Sequence, residues 1–311
     1  NLDAPTVADD SHLDRRRGVI YTIAPSPLDA KVLWVGTDDG LVWRSNDEGA
    51  HWQQVTPQAL TPWSKVAGIE LSHFDPNTAY LAIDRHRLDD DTPYLYRTTD
   101  GGKAWTRIDA GIPRDSFVNV VREDPHHRGL LYAGTERGMY VSFDDGAHWQ
   151  ALQQNLPMTS VRDIDVHGDD LVIATHGRGF WIMDNVSALR QMAGLHADTA
   201  TLFRPADAIR VRLASFTGTP FPKDEPMAAN PPDGAMIDYA LPTAVKGAVT
   251  LTVFDAQGKP VRSFSSAEPV NKPDPAKLAV APEWVPAPMR LSTAPGMHRF
   301  VWDLHYPSQL P

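Results

Sequence analysis

Short apolar stretches separated by polar turns follow one another through the first part of the chain. Residues 32–35 (VLWV) and 130–133 (LLYA) are two examples, and both are rich in β-branched and aromatic side chains. Stretches of this length and composition favour strands, whereas helices need longer segments with a 3.6-residue period. Residues 19–57 contain three such stretches, separated first by a turn rich in Asp and Pro and then by a turn closed by Gly. The pattern predicts antiparallel strands joined by tight turns.

The pattern also repeats. Residues 118–157 match residues 19–57 stretch by stretch, a copy with an insertion near residues 84–93 lies between them, and residues 161–185 keep the first three strands. Four short strands in about 40 to 50 residues are typical of β-propeller blades. We therefore predict an all-β chain in which residues 1–184 form about four blades, the last ones of a partial β-propeller.

One octet, Ser/Thr-x-Asp-x-Gly-x-x-Trp, stands at the same place in the first three copies, where the third strand turns into the fourth. The carboxylate can accept backbone N–H groups in a turn, the glycine permits a positive φ, and the tryptophan can bury a large ring between sheets. Each residue type thus has a local structural task, and we predict a structural role for all of them. The residues are Ser45, Asp47, Gly49, Trp52, Thr98, Asp100, Gly102, Trp105, Ser142, Asp144, Gly146 and Trp149.

This octet resembles the Asp-box, or BNR repeat, of sialidases, xyloglucan-cleaving glycosidases and sortilin-type receptors. The segments WVGTDDGLV (34–42), ATHGRGFWIMDN (174–185) and PPDGAMIDYALP (231–242) resemble bacterial sortilin-like proteins, some of them labelled glycosyl hydrolases with BNR repeats. The resemblance implies a propeller whose Asp-boxes lie away from the active site, and a periplasmic or secreted bacterial protein. Since four open blades leave two bare sheet edges, we expect the remaining blades from another part of the same protein.

The pattern changes after the repeats. Residues 185–234 are predicted to contain a short linking helix and then a Pro-rich connector. Residues 235–311 are predicted to form an Ig-like β-sandwich, with a hairpin turn at DAQG (255–258). The sandwich resembles tail domains of extracellular enzymes, which implies that Trp302 fills the core and that Asp255 and Gly258 are turn residues.

The two sides of a blade differ in what they can do. In an up-and-down blade the turns after strands two and four lie opposite the turn after strand three, which carries the Asp-box. Polar loops held by a rigid scaffold are where binding residues tend to lie. The candidate ligand-binding residues are therefore those that follow each second strand: Asp38, Asp39, Asp84, Arg85, Glu136, Arg137, His176 and Arg178.

Composition narrows the classes of partner. A net charge of −10, from 29 basic and 39 acidic residues, argues against nucleic acid as the main partner. No apolar run reaches the length of a membrane span. The chain has no cysteine, which excludes disulfides and thiolate metal sites. No closely spaced ligand motif favours a metal, and no cofactor is predicted.

Three functions compete for the polar side. A sialidase-like site needs an arginine cluster, and only Arg137 and Arg178 suit that role. A paired-carboxylate glycosidase is open because several acidic candidates share this side. A binding module for a peptide or a carbohydrate needs only the polar surface, and the sequence favours it. The alternative is part of a glycoside hydrolase whose catalytic carboxylates lie partly in a missing N-terminal region.

Overall fold

The computed structural model describes residues 18–193, 198–210, 230–242, 245–269 and 289–307, with a few single residues between these ranges. The predictions for residues 1–17 and for most of the Pro-rich stretches at 211–229 and 270–288 lie outside the described residues. The chain divides into two compact units, Asn1–Val186 and Ser187–Pro311. The finer boundaries at residues 184 and 234 stay predictions. Within the described ranges, no helix is long and apolar enough to cross a membrane.

Over residues 18–186, its described part, the first unit contains four antiparallel sheets, each a meander in chain order. We call them blades 1 to 4, since their strand order is that of propeller blades. Blade 1 consists of β1 Ile20–Pro25, β2 Leu33–Thr37, β3 Val42–Ser45 and β4 Gln53–Gln54. Blade 2 consists of β5 Lys65–Leu71, β6 Ala79–Arg85, β7 Asp90–Thr98 and β8 Thr106–Arg107. Blade 3 consists of β9 Val118–Glu123, β10 Leu131–Thr135, β11 Met139–Ser142 and β12 Gln150–Ala151. Blade 4 has three strands, β13 Ser160–His167, β14 Asp170–His176 and β15 Phe180–Met183.

The apolar cores lie between successive blades. Strand β6 shows why, because successive side chains of a strand point to opposite faces. Leu81 and Ile83 pack into a cluster with Trp34 and Val66. The alternate residues Tyr80 and Ala82 pack into a second cluster with residues of blade 3. A strand buried on both faces needs apolar side chains at every position, and this explains the continuous apolar run at 79–83.

The insertion in blade 2 is shaped differently from the predicted loop. Strand β6 continues through Asp84 to Arg85, a short 3-10 helix spans His86–Leu88, and β7 begins at Asp90. The inserted residues therefore lengthen a hairpin instead of forming a loop. Asp84 lies in a strand for this reason and is buried.

The second unit contains two small antiparallel sheets in its described part. One joins β16 Thr201–Leu202, β17 Ala235–Leu241 and β20 Gly296–Trp302. The other is the hairpin of β18 Thr250–Phe254 and β19 Pro260–Ser265, closed by a turn in which Asp255 accepts the N–H of Lys259 at 2.8 Å. Trp302 packs against the apolar cluster around Phe300, to which both sheets contribute. The predicted linking helix is a single 3-10 turn, Leu189–Gln191. The Ig-like sandwich stays a prediction.

Candidate functional site

The three Asp-boxes share one set of hydrogen bonds. In blade 1 the Ser45 hydroxyl donates to Asp47 at 2.8 Å and accepts the N–H of Gly49 at 2.9 Å. The Asp47 carboxylate also accepts the N–H of His51 at 2.8 Å. The same bonds recur in blade 3 around Ser142 and in blade 2 around Thr98, at 2.8 to 3.0 Å. The carboxylate and the hydroxyl of each box therefore make their hydrogen bonds within the turn.

These bonds change the acidity of the box carboxylates. In Asp47, hydrogen bonds from the backbone and the side chain of His51, with a third from Ser45, lower the pKa to about 2. The backbone N–H of Ala104 and the hydroxyl of Thr98 lower the pKa of Asp100. Burial raises the pKa of Asp144, but the bonds from His148 outweigh it and the pKa is lowered. A carboxylate held ionised in this way stabilises a turn and is a poor proton donor.

The predicted binding residues lie on the opposite side. We define the loop rim as residues 37–40, 84–89, 135–138 and 175–179, together with the connections that enter each following blade. Strand pairing places Asp38, Asp84, Glu136 and His176 at one equivalent position, the first after the strand-two residue that pairs just before the bulge of strand one. The N–H groups of Asp38 and Glu136 both donate to the residue that precedes strand one, at 3.1 and 3.0 Å.

Blade 1 holds its two acidic candidates in place by protein donors. The Asp38 carboxylate accepts the N–H of Val19 at 2.8 Å. Asp39 is buried, its carboxylate accepts the hydroxyl of Thr37, and its carbonyl accepts the N–H of Trp63 at 2.8 Å. The Asp38 carboxylate therefore holds the residue that precedes strand one. Asp39 fixes the turn through its carboxylate and the connection to blade 2 through its carbonyl.

Blade 2 contains a buried ionic cluster. The Asp84 side chain has no exposed surface, and it lies 2.6 Å from Lys65 Nζ and 2.6 Å from His86 Nδ1. The His86 ring stacks on Phe117 with ring centroids 5.0 Å apart. Burial raises the pKa of Asp84, but the bonds from Lys65 and His86 outweigh it, so the pKa lies below the usual value of an aspartate. Such a carboxylate stays ionised and cannot serve as a general acid near neutral pH.

The remaining acidic candidate is also engaged. Glu136 accepts the hydroxyl of Ser160 at 2.7 Å and lies 3.3 Å from Arg162 of blade 4. Arg85 points along blade 2 toward Asp90, 3.4 Å away, and stacks over the Tyr94 ring.

The exposed candidates are two arginines and one histidine. Arg137 is 53% exposed and forms one ion pair, at 3.2 Å, with the equally exposed Asp115. His176 and Arg178 are exposed on the last rim loop. Backbone bonds to the hydroxyls of Thr135 and Thr175 fix the two loops that carry these arginines. The two exposed arginines at the blade 3 and blade 4 end of the rim are therefore hydrogen-bond donors of positive charge.

The structure does not gather the candidates into one cluster. Throughout the described part of the chain, none of the eight forms a hydrogen bond or an ion pair with another. Likewise, no group of three or more His, Asp or Glu side chains suited to a metal ion occurs in that part. The sequence did not identify Lys65, Ser160 and Arg162 as partners of the candidates. The one feature of the sequence that could have indicated them is their position at or near the start of strand one of a blade.

The repeat region resembles known proteins over part of its length. Residues 40–179 match the family model Sortilin-Vps10, described as sortilin, neurotensin receptor 3. The Sortilin-Vps10 match spans all three Asp-boxes and most of the loop rim. The predicted resemblance is therefore confirmed.

Individual relatives share shorter segments with the chain. A xyloglucanase of Paenibacillus sp is 28% identical over 135 residues, which are 39% of this chain and 12% of that protein. Vacuolar protein sorting/targeting protein 10 of Laccaria bicolor is 27% identical over 112 residues, 33% of this chain and 6% of that protein. The match thus spans a small part of each relative.

Solved structures are similar at a lower level. YCF48 from Cyanidioschyzon merolae has a TM-score of 0.41 and 19% identity, covering 55% of this chain and 54% of that chain. Another structure shows YCF48 bound to D1 peptide, with a TM-score of 0.40 and 18% identity over 52% of this chain and 55% of that chain. No functional conclusion follows from likenesses of this size.

Proposed function

We propose that this chain is part of an exported Asp-box propeller protein that binds a peptide or a carbohydrate at its loop rim. One observation carries the proposal. The rim carboxylates Asp39, Asp84 and Glu136 are held by protein donors, whereas Arg137 and Arg178 point toward solvent from loops with fixed backbones. Among the eight candidates, Arg137 and Arg178 therefore have the charged side chains most open to a ligand.

The chemistry of these side chains defines the class of ligand. A guanidinium pairs with a carboxylate through two parallel hydrogen bonds. The ion pair of Arg137 with Asp115 is exposed on both sides, and such pairs contribute about 0–1 kcal/mol. A ligand carboxylate can therefore displace Asp115 at little cost. The ligand that fits is an acidic peptide or an acidic sugar.

Binding tests this proposal directly. The protein is applied to arrays of acidic and neutral peptides and glycans, and positive spots are repeated in solution. Arg178→Ala and Arg137→Ala should each weaken binding of the acidic ligand roughly tenfold or more, because a charged hydrogen bond contributes about 1.5–3 kcal/mol. Arg128→Ala is the matched control, since Arg128 is 67% exposed and lies in the turn between strands one and two, on the Asp-box side. Equal losses in the control and the rim variants would contradict the proposal.

A glycoside hydrolase is the second candidate, favoured by the identity with the xyloglucanase. Its acid and base would lie partly outside this chain, since Asp84 stays ionised and Asp39 is bonded to Thr37. A glycan panel treated with the longest available form of the protein decides between the two. Cleavage that is lost in Asp39→Asn or Asp84→Asn would defeat the binding-only proposal.

The exported location is a proposal that follows from the family resemblance. Immunoblots of cell fractions test it. Native protein in the periplasm or the medium supports export, and native protein confined to the cytoplasm contradicts it.

A further inference from the structure

Two blade boundaries in this chain are built in the same way. At each boundary, the Asp-box of one blade meets the preceding blade through three contacts, which we call the inter-blade joint. The Trp105 indole N–H donates to the Val55 carbonyl at 2.8 Å, and the Trp149 indole N–H donates to the Ile108 carbonyl at 2.5 Å. Val55 and Ile108 both stand three residues after an Asp-box tryptophan. The contact is therefore a repeated feature and not a local accident.

The second contact of the joint is a close approach at the box glycine. A Cβ on Gly102 would lie 2.6 Å from Val55 Cβ, and a Cβ on Gly146 would lie 2.5 Å from Ile108 Cδ1. Both distances are far shorter than side-chain packing permits. The glycine is thus required where the apolar residue of the preceding blade presses on the box.

The third contact is made by an arginine of the preceding blade. Arg44, the penultimate residue of β3, donates to the carbonyl of Gly101 at 3.3 Å. Arg97, the penultimate residue of β7, donates to the carbonyl of Asp145 at 2.9 Å and pairs with its carboxylate. In blade 3 this position holds Val141, and blade 4 has no Asp-box. The arginine is present where a box follows and absent where none does.

The Asp-box of blade 1 has the residues that form such a joint, but among the described residues no preceding blade contacts it. Glu48 occupies the position of Gly101 and Asp145, and like Asp145 it has a positive φ. In the described part of the chain, no donor reaches the Glu48 carbonyl and no acceptor meets the Trp52 indole N–H. A Cβ on Gly49 would meet nothing closer than 3.5 Å, and that atom belongs to Trp52. These groups face open space at the place where the other two boxes are covered.

The neighbouring strand is open as well. Strand β1 leaves Ile20 47% and Ile23 62% exposed, although the equivalent residues of blade 3, Val118 and Val121, are buried against blade 2. Adjacent apolar side chains exposed on one edge mark an interaction surface.

We propose that the Asp-box face of blade 1 docks one more four-stranded Asp-box blade of defined chemistry. Its third strand carries an arginine at the penultimate position, and its fourth strand is followed by Val or Ile with a free carbonyl. A second copy of this chain does not supply such a blade. Blades 1 and 2 already use their arginines on the next box, and blade 4 has Ile182 where the arginine is required. The inference is independent of the ligand-binding role.

A fusion tests the proposal. A second copy of residues 65–115 is joined directly to Gly18 in place of residues 1–17. The junction keeps the natural register, since Gly18 and Ser116 each stand two residues before the first paired residue of their strand, Ile20 and Val118. The added copy then presents its own Arg97 and Ile108 to blade 1.

The readout is solvent exchange of the Trp52 indole N–H, measured by NMR and assigned with Trp52→Phe. We expect exchange in the fusion to slow about tenfold or more relative to the original chain, because a bonded and covered N–H exchanges only through local opening. The control fusion carries Arg97→Ala and Ile108→Asp in the added copy alone, and it should exchange as the original chain does.

Four results would overturn the proposal. The added copy could stay unfolded, or fold without slowing exchange at Trp52. Exchange could also slow equally in the control fusion. Finally, Trp52 exchange in the original chain could slow as protein concentration rises, which would show that a second copy fills the surface.

Discussion

The Asp-box edge and the loop rim are built on the same blades, but equivalent positions keep their residue types at the edge and vary on the rim. At the edge, three boxes keep the same residue types and the same hydrogen bonds, at 2.8 to 3.0 Å. On the rim, one equivalent position holds Asp38, Asp84, Glu136 and His176, each with different partners. Residue types that recur in every copy mark the positions that hold the blades together. Positions that vary on a fixed backbone are suited to binding a ligand.

The largest expected effect on stability is a difference between the tryptophans of two Asp-boxes. Trp149→Ala removes a buried ring and its bond to Ile108, and it should cost about 3–5 kcal/mol in the free energy of unfolding. Trp52→Ala removes a half-buried ring at the open edge and should cost about 1–2 kcal/mol. Urea unfolding followed by circular dichroism measures both. Equal costs would show that the joint adds nothing to the box.

A second pair of variants separates the cost of backbone strain from the cost of steric overlap with the preceding blade. Gly49 and Gly146 have φ angles of 90° and 85°, so an alanine at either position is strained to a similar degree, by about 1–2 kcal/mol. Gly146→Ala also collides with Ile108, and overpacking adds about 1–3 kcal/mol. We expect Gly146→Ala to lower the urea midpoint clearly more than Gly49→Ala. The reverse order would contradict the joint.

Acid should weaken the Asp-box edge. The pKa of Asp47 is lowered to about 2 in the folded chain, below the ordinary value of about 3.9 in the unfolded chain. Its contribution is therefore complete above about pH 4 and is lost as the pH falls toward about 2. Asp47→Asn with Asp144→Asn should flatten the decline in stability over this interval, measured by urea unfolding at several pH values. Asp165→Asn, at an exposed strand position, is the control and should leave the slope unchanged.

The smallest expected effect on stability belongs to the rim. Arg178→Ala should change the free energy of unfolding by less than about 0.5 kcal/mol, because an exposed side chain with only backbone contacts contributes little. Thermal unfolding measures this change. A loss of several degrees would give Arg178 a structural role and leave the rim without its main free cation.

The sequence predicted the repeated architecture because its signals are local. The octets, the apolar run at 79–83 and the turn glycines each report on a few neighbouring residues, and the blades follow from their repetition. The partners of the rim residues could not be predicted in this way. Lys65 pairs with Asp84 across a hairpin, and Arg162 reaches Glu136 from the next blade. Such contacts depend on register and on packing between blades, which single-sequence patterns do not encode.

The misplaced insertion illustrates the same limit. Its position after the second strand of the blade predicted a loop, whereas pairing of Arg85 with Asp90 extends the hairpin. That extension, together with Lys65, buries Asp84. A charged residue was therefore placed in the interior by a partner 19 positions earlier in the printed sequence.

The central claim, a structural edge opposite a binding rim, is tested most directly by two double variants on one ligand array. Arg137→Ala with Arg178→Ala should lose capture of acidic peptides or glycans at wild-type thermal stability. Asp47→Asn with Asp144→Asn should keep the wild-type binding pattern at reduced stability. The opposite result, with binding lost at the edge and stability lost at the rim, would contradict the account.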